Sequence, residues 1–158
     1  MYNLKQQIKS EMDETRKELI KLCKGITPEE FVWEPRPGMK SVKAQLEEIG
    51  VMEAMHTRFL ATGNMPDWKK DIVWNGDDAD SFFKDLAGFR KETEDFMQSC
   101  SDEDFLSMRP IPEPWQQWWG KEAGVEAMIR WIERHEYYHV GQITYNRWML
   151  GYNPYDEA

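Results

Sequence analysis

Two of the three histidines in this 158-residue chain, His135 and His139, stand four positions apart. On an α-helix this spacing puts both imidazoles on one face, a turn apart, where they can hold a single metal ion. Both fall on an apolar stripe of helical period, so we expect them to point into the protein. A buried imidazole needs partners for its nitrogens, and a metal ion is one such partner. The pair therefore predicts a metal site, and the alternative is two core histidines with hydrogen-bond partners.

The segment His135-Glu136-Tyr137-Tyr138-His139 also matches the H-E-x-x-H string of zinc peptidases, in which the glutamate is the general base. Those enzymes take a third ligand downstream of the string. Here the only carboxylates after His139 belong to Asp156 and Glu157. Residues near a chain end are poorly ordered in most domains, so the string alone is weak support for a peptidase.

A third ligand is expected from the second predicted helix, which carries Glu48, Glu53 and His56. The helical period favours Glu53 or His56 as the inward group and puts Glu48 at the edge of the apolar stripe. Glu48 and His56 are eight residues apart, about 12 Å along a helix, so they cannot easily share one ion. Glu48 could also be an ordinary solvated carboxylate, and His56 a residue near the rim of the helix.

Four amphipathic helices are predicted to position these side chains, over about 4–23, 41–63, 80–100 and 121–150. The polar segment 67–80 is expected to be a long connection. The alternating prolines of 109–114 exclude a helix there. No strand-like alternation is evident. These elements predict one domain over residues 1–158, an all-α four-helix bundle with a long crossover connection.

The charge, hydropathy and cysteine content of the chain exclude several classes of partner and site. A net charge of −9 argues against nucleic acid or anionic lipid, because contacts to phosphate require cations. No apolar run approaches the roughly 20 residues that span a bilayer, and the N-terminal segment is polar, so we expect a cytoplasmic protein. Cys23 and Cys100 have no motif spacing, which argues against a zinc ribbon or a disulfide scaffold.

Two blocks of the sequence resemble the DinB-like (damage-inducible) family of bacterial four-helix bundles. Residues 31–42, FVWEPRPGMKSV, are similar to the family's L-x-W-x-P-x-P-G-x-x-S-V block before its second helix. Residues 135–143, HEYYHVGQI, are similar to its H-x-x-x-H-x-G-Q-I block in the fourth helix. Order and spacing agree over nearly the whole chain, so the resemblance implies the same fold.

The resemblance also implies a ligand set. Members of the family typically bind a divalent metal through three histidines, and the last two correspond to His135 and His139. The first lies seven residues after the serine of the S-V pair, where this chain has Glu48. The implied ligands are therefore Glu48, His135 and His139, with Glu53 as a supporting partner or substitute ligand, unless the site has shifted or been lost. Such a set suits zinc, iron(II), manganese or nickel, and the sequence does not select among them.

Some members of the family resemble metal-dependent transferases that add a low-molecular-weight thiol, such as bacillithiol or mycothiol, to an electrophile, and this activity is the first expectation for the chain. Glu136 or Tyr138 would orient a ligand near the metal, and the mouth of the pocket would be lined by Trp115, Trp118 and Trp119. A related expectation is metal-dependent hydrolysis, with Glu136 or Glu53 as the base.

The non-catalytic alternative is a metal-binding or structural stress-response bundle. We expect a homodimer, and exposed aromatic side chains could form an interface of this kind, among them Trp68, Trp74, Tyr152 and Tyr155.

Overall fold

Four long helices build the protein in a computed structural model that describes residues 3–153 and 155–156. They are α1 (Leu4–Cys23), α3 (Val42–Thr62), α5 (Ala79–Ser99) and α8 (Val125–Met149). Four short helices lie in the connections: α2 (Pro28–Val32), α4 (Trp68–Asp71), α6 (Asp102–Phe105) and α7 (Gln116–Trp119). The predicted all-α bundle is confirmed. Within the described ranges, no helix is long and apolar enough to cross a lipid bilayer.

The bounds of α3, which carries three of the candidate ligands, follow from local chemistry. The Ser41 hydroxyl accepts a hydrogen bond from the backbone N–H of Ala44 and caps the first turn. Gly63 ends the helix with φ 72°, and its N–H donates to the Phe59 carbonyl. A side chain would strain this left-handed position, so the glycine sets the end of the helix.

The start of α8 and the segment before it differ from the prediction. The fourth helix begins at Val125 rather than near 121, because β2 (Glu122–Gly124) pairs antiparallel with β1 (Met108–Pro110). Strands of three residues are too short to show a period in the sequence. Residues 113–115 form a 3₁₀ turn among the prolines. Pro114 occupies one of the first positions of this turn, where no backbone N–H donor is needed.

The crossover between α3 and α5 is anchored by Trp74, which was expected to be exposed. Its ring stacks on Phe82, with 4.5 Å between the centroids. It also covers Gly50 of α3, where an added Cβ would lie 2.5 Å from the indole. Only a glycine allows this close approach, so the crossover packs closely against the middle of α3.

A network of ion pairs, formed by Arg16, Glu53, Arg90 and Glu136, lies buried between the long helices, each of which supplies one residue. Arg16 contacts Glu53 at 2.9 Å and Glu136 at 2.5 Å. Arg90 contacts Glu53 at 2.7 Å and Glu136 at 2.6 Å. Backbone carbonyls accept hydrogen bonds from Nη1 of both arginines. Because two arginines face two glutamates, the formal charges of the network are balanced.

Candidate metal centre

Helices α3 and α8 pack against each other and bring Glu48, His135 and His139 together. One ligand atom from each residue lies within 4.8 Å of the others. Glu48 Oε2 is 3.5 Å from His139 Nε2, and the centroids of the two imidazoles are 4.7 Å apart. The i, i+4 pair and the carboxylate implied by the family resemblance thus form one group.

Gln45, one turn before Glu48, fixes the orientation of the His139 ring. Its Oε1 lies 3.4 Å from His139 Nδ1, and its Nε2 donates to the Lys40 carbonyl. With Nδ1 as the donor to Gln45, the lone pair of Nε2 faces Glu48. This Nε2 is buried and has no hydrogen-bond partner among the residues that the structure describes. A buried acceptor of this kind, beside a carboxylate and a second imidazole, fits a divalent transition metal.

The protonation states also suit metal binding. Burial lowers the pKa of His139 to about 4 and also lowers the pKa of His135. Both rings are therefore neutral at pH 7, with lone pairs free to coordinate. Burial raises the pKa of Glu48, but the hydrogen bond and charge of Lys40 outweigh it and hold that pKa below its ordinary value. The group thus offers two neutral nitrogens and one carboxylate anion.

His56 points inward, as the helical period predicted, but it does not join the ligand group found within residues 3–153 and 155–156. Its Nδ1–H donates to the Met52 carbonyl at 2.8 Å. The ring stacks on Trp115, with 4.7 Å between centroids, and is 1% exposed. Burial lowers its pKa to about 4. His56 is therefore part of the aromatic wall next to the centre.

Glu53 and Glu136, considered as bases or supporting ligands, lie away from the ligand group. Glu136 was predicted to be catalytic, but both of its oxygens bind arginines of the buried network. Glu53 binds the same arginines and also accepts from the Thr93 hydroxyl. One residue along a helix is a turn of about 100°, so Glu136 projects away from the face that carries His135. The H-E-x-x-H string therefore aligns two candidate ligands here and does not supply a base.

A cavity of about 1370 Å³ adjoins the ligand group, with aromatic side chains along its wall: Trp115, Trp118, Trp119, Trp131, Tyr138 and Tyr145. Trp118 is 71% exposed at the surface, whereas Trp115 is buried against His56. Tyr138, the other predicted catalytic residue, is exposed and lies beside His139, with 5.4 Å between ring centroids. The three predicted loop tryptophans thus line the same cavity as the ligands.

Sequence reasoning missed several residues of this centre. Lys40 contacts Glu48, Gln45 orients His139, and Trp131 extends the aromatic wall. Trp131 lies seven residues before Tyr138, on the face that also carries His135, and that spacing could have identified it. Nothing in the local pattern marks Lys40, which precedes the helix.

No curated protein matches the sequence. The sequence profile of the DinB superfamily matches residues 11–143, a range that includes Glu48, His135 and His139. The chain therefore belongs to the DinB superfamily.

Proposed function

We propose that this protein is a divalent-metal-dependent transferase that adds a low-molecular-weight thiol to an electrophile. Glu48, His135 and His139 are the proposed ligands. The observation that supports this proposal is the buried Nε2 of His139, which has no hydrogen-bond partner within the described part of the chain and lies 3.5 Å from a carboxylate oxygen at the edge of an aromatic cavity. A metal ion held between this nitrogen and the carboxylate would supply the missing partner.

A divalent metal on these ligands would supply Lewis acidity that lowers the pKa of a nearby thiol toward neutral pH. The chain itself would do the positioning. Gln45 holds the His139 ring in its tautomer, and the tryptophan wall excludes water and contacts the apolar part of the electrophile. The exposed Tyr138 hydroxyl would donate a hydrogen bond to a ligand group at the mouth of the cavity.

The proposed transfer is a nucleophilic substitution. The thiol sulfur forms a bond to the electrophilic carbon, the leaving group departs with its bonding electron pair, and the thiol proton passes to water. An alkyl halide gives a thioether and a halide ion. No oxidant or reductant is needed, so the assay requires only protein, metal, thiol and electrophile.

Hydrolysis is less well supported. It requires a base near the centre, and the two carboxylates considered for that role, Glu53 and Glu136, are bound to Arg16 and Arg90. Moving either carboxylate to the cavity would leave two buried arginines sharing one glutamate, and this uncompensated buried charge is strongly unfavourable. This burial favours thiol transfer over hydrolysis.

The non-catalytic alternative has one observation in its favour. The Lys40 ammonium contacts Glu48, so the carboxylate has a cationic partner supplied by the chain itself. If this pair is permanent, the bundle is structural or binds a partner through its exposed aromatic side chains. Metal content separates a metal-free structural bundle from the transferase, and the activity assay separates a non-catalytic metal-binding bundle from it.

Elemental analysis should therefore come first, on untagged protein incubated with zinc, nickel or manganese. We expect about one equivalent of metal in the wild type. Little metal should remain in the His135→Ala/His139→Ala variant or in Glu48→Ala. Unchanged metal in Glu48→Ala would remove Glu48 from the ligand set, and a metal-free wild type would overturn the transferase.

Activity is tested next with monochlorobimane as a fluorogenic electrophile and bacillithiol as the thiol. We expect metal-dependent thioether formation that is lost in the double-histidine variant. Turnover of an ester or amide substrate without thiol would instead identify a hydrolase.

A further inference from the structure

Lys40 stands where the two helices of the metal centre meet. Its backbone carbonyl accepts hydrogen bonds from Gln45 of α3 at 3.3 Å and from Asn146 of α8 at 3.1 Å. The next residue, Ser41, caps α3. The backbone of Lys40 is thus fixed at the site, whereas its long side chain is 52% exposed and free to change rotamer.

The side chain of Lys40 places its ammonium on one oxygen of the candidate ligand set. Nζ contacts Glu48 Oε2, the same oxygen that lies 3.5 Å from His139 Nε2. Among the described residues, Glu48 is the carboxylate with which Lys40 forms an ion pair. A metal ion bound by Glu48 Oε2 and His139 would meet this ammonium at close range, where like charges repel.

We propose that Lys40 is an exchangeable internal cation that neutralises Glu48 in the metal-free protein and is displaced when a divalent ion binds. This proposal rests on the proposed function, because it requires that Glu48 is a ligand. Displacement is inexpensive because the pair is half exposed, and pairs of that kind contribute little to stability. The residue nevertheless opposes loading, so the affinity for metal is lower than the ligand set alone would give.

The second consequence concerns the freed ammonium. Lys40 also lines the cavity. Once it leaves Glu48, its backbone tether keeps the cation within reach of the cavity mouth. Lys40 would therefore be held against Glu48 without metal and be more accessible with metal, a change that can be measured without any assay of activity.

The first experiment compares zinc affinity by chelator competition for the wild type, Lys40→Met and Lys43→Met. Lys43 is the matched control, because it is a cation of the first turn of α3 that pairs with Asp77 away from the cavity. We expect Lys40→Met to bind zinc about three- to fivefold more tightly than the wild type, and Lys43→Met to differ by less than about twofold. Equal affinities in all three proteins would overturn the proposal and leave the metal site intact. Absence of zinc binding in all three would overturn the proposed function itself.

The second experiment separates displacement from simple repulsion. Acylation of Lys40 by a short-lived amine reagent is measured by mass spectrometry with and without zinc. We expect zinc to increase labelling of Lys40 in the wild type, with Lys43 as the internal reference. In Glu48→Gln, labelling should be high already and should not respond to zinc. Unchanged labelling in zinc-loaded wild type would show that Lys40 stays on the carboxylate, and it would overturn the exchange.

Discussion

Two polar clusters both draw residues from α3 and α8 and have opposite properties. The buried ion-pair network contains Glu53 of α3 and Glu136 of α8, and both carboxylates are bound by two arginines. The metal centre contains Glu48 and His139 of the same helices, and there Nε2 of His139 is buried with no hydrogen-bond partner in residues 3–153 and 155–156. Glu136 and His135 are neighbours in sequence, yet they belong to different clusters.

The contrast gives a criterion for separating structural from functional polar groups. In the network, each cation faces anions and the hydrogen bonds close on themselves, so no further ligand is needed. In the centre, neutral imidazoles and one carboxylate leave lone pairs that face a cavity. His139 is as buried as the residues of the network, so burial does not separate it from them, whereas the satisfaction of donors and acceptors does.

The largest expected effect is a loss of stability when a residue of the buried ion-pair network is replaced. Replacing Glu136 with Ala leaves Arg16 and Arg90 sharing only Glu53, so the free energy of unfolding should fall by about 3–5 kcal/mol. Urea denaturation measures the loss. Glu133→Ala, which removes a half-buried carboxylate bonded to the Thr15 hydroxyl, is the matched control and should cost less than about 1.5 kcal/mol. Equal losses would remove the distinction between the clusters.

The next effect is on metal affinity. His135→Ala/His139→Ala should weaken zinc binding by at least about a hundredfold, equivalent to about 2.7 kcal/mol, because two of three ligands are lost. His56→Phe should bind zinc like the wild type, because His56 lies outside the ligand group. Isothermal titration with zinc measures both proteins. A comparable loss in His56→Phe would place that residue in the centre instead.

A smaller effect is expected on the way the free energy of unfolding depends on pH. Folded His56 has a pKa of about 4, against an ordinary value of 6.5 in the unfolded chain. Between these values the unfolded state binds the proton and the folded state does not, so stability falls as the pH drops from about 6.5 to about 4. Above that window His56 contributes nothing to the pH dependence. In metal-free protein, His56→Phe should lose less stability between pH 7 and pH 4.5 than the wild type. Parallel profiles from urea denaturation would contradict this.

The smallest expected effect is at the cavity mouth. Tyr138→Phe removes only an exposed hydroxyl, so the free energy of unfolding should change by less than about 0.5 kcal/mol and zinc affinity should be unchanged. If the hydroxyl positions a ligand, KM for the electrophile in the bimane assay should rise about threefold while the metal content stays constant. An unchanged KM would leave Tyr138 with no role beyond the shape of the wall.

The sequence was sufficient for the four long helices and for the histidine pair, because both depend on local period and capping. Glu48 needed the family resemblance. The helical period favours the most inward acid, and that acid, Glu53, serves the ion network. A ligand beside an open cavity lies at the edge of an apolar stripe rather than at its centre.

Other features could not be predicted because they depend on pairing across the fold. Arg16 and Glu136 are 120 positions apart in the chain, so no local pattern joins them. The two strands have three residues each, and only their mutual register defines them. Trp74 lies in the crossover and contacts Gly50 of α3, and the helical period of the sequence does not indicate this contact.

The buried network also has a consequence for how the chain folds. Because each long helix supplies one charged residue, any intermediate that docks only three of them buries an unbalanced charge. Without α8, two arginines would face a single glutamate in a nonpolar interior, which disfavours that species. Partly assembled bundles should therefore be sparsely populated, and folding should be cooperative across the whole domain, with α1 and α8 docking in the same step despite their separation in the chain.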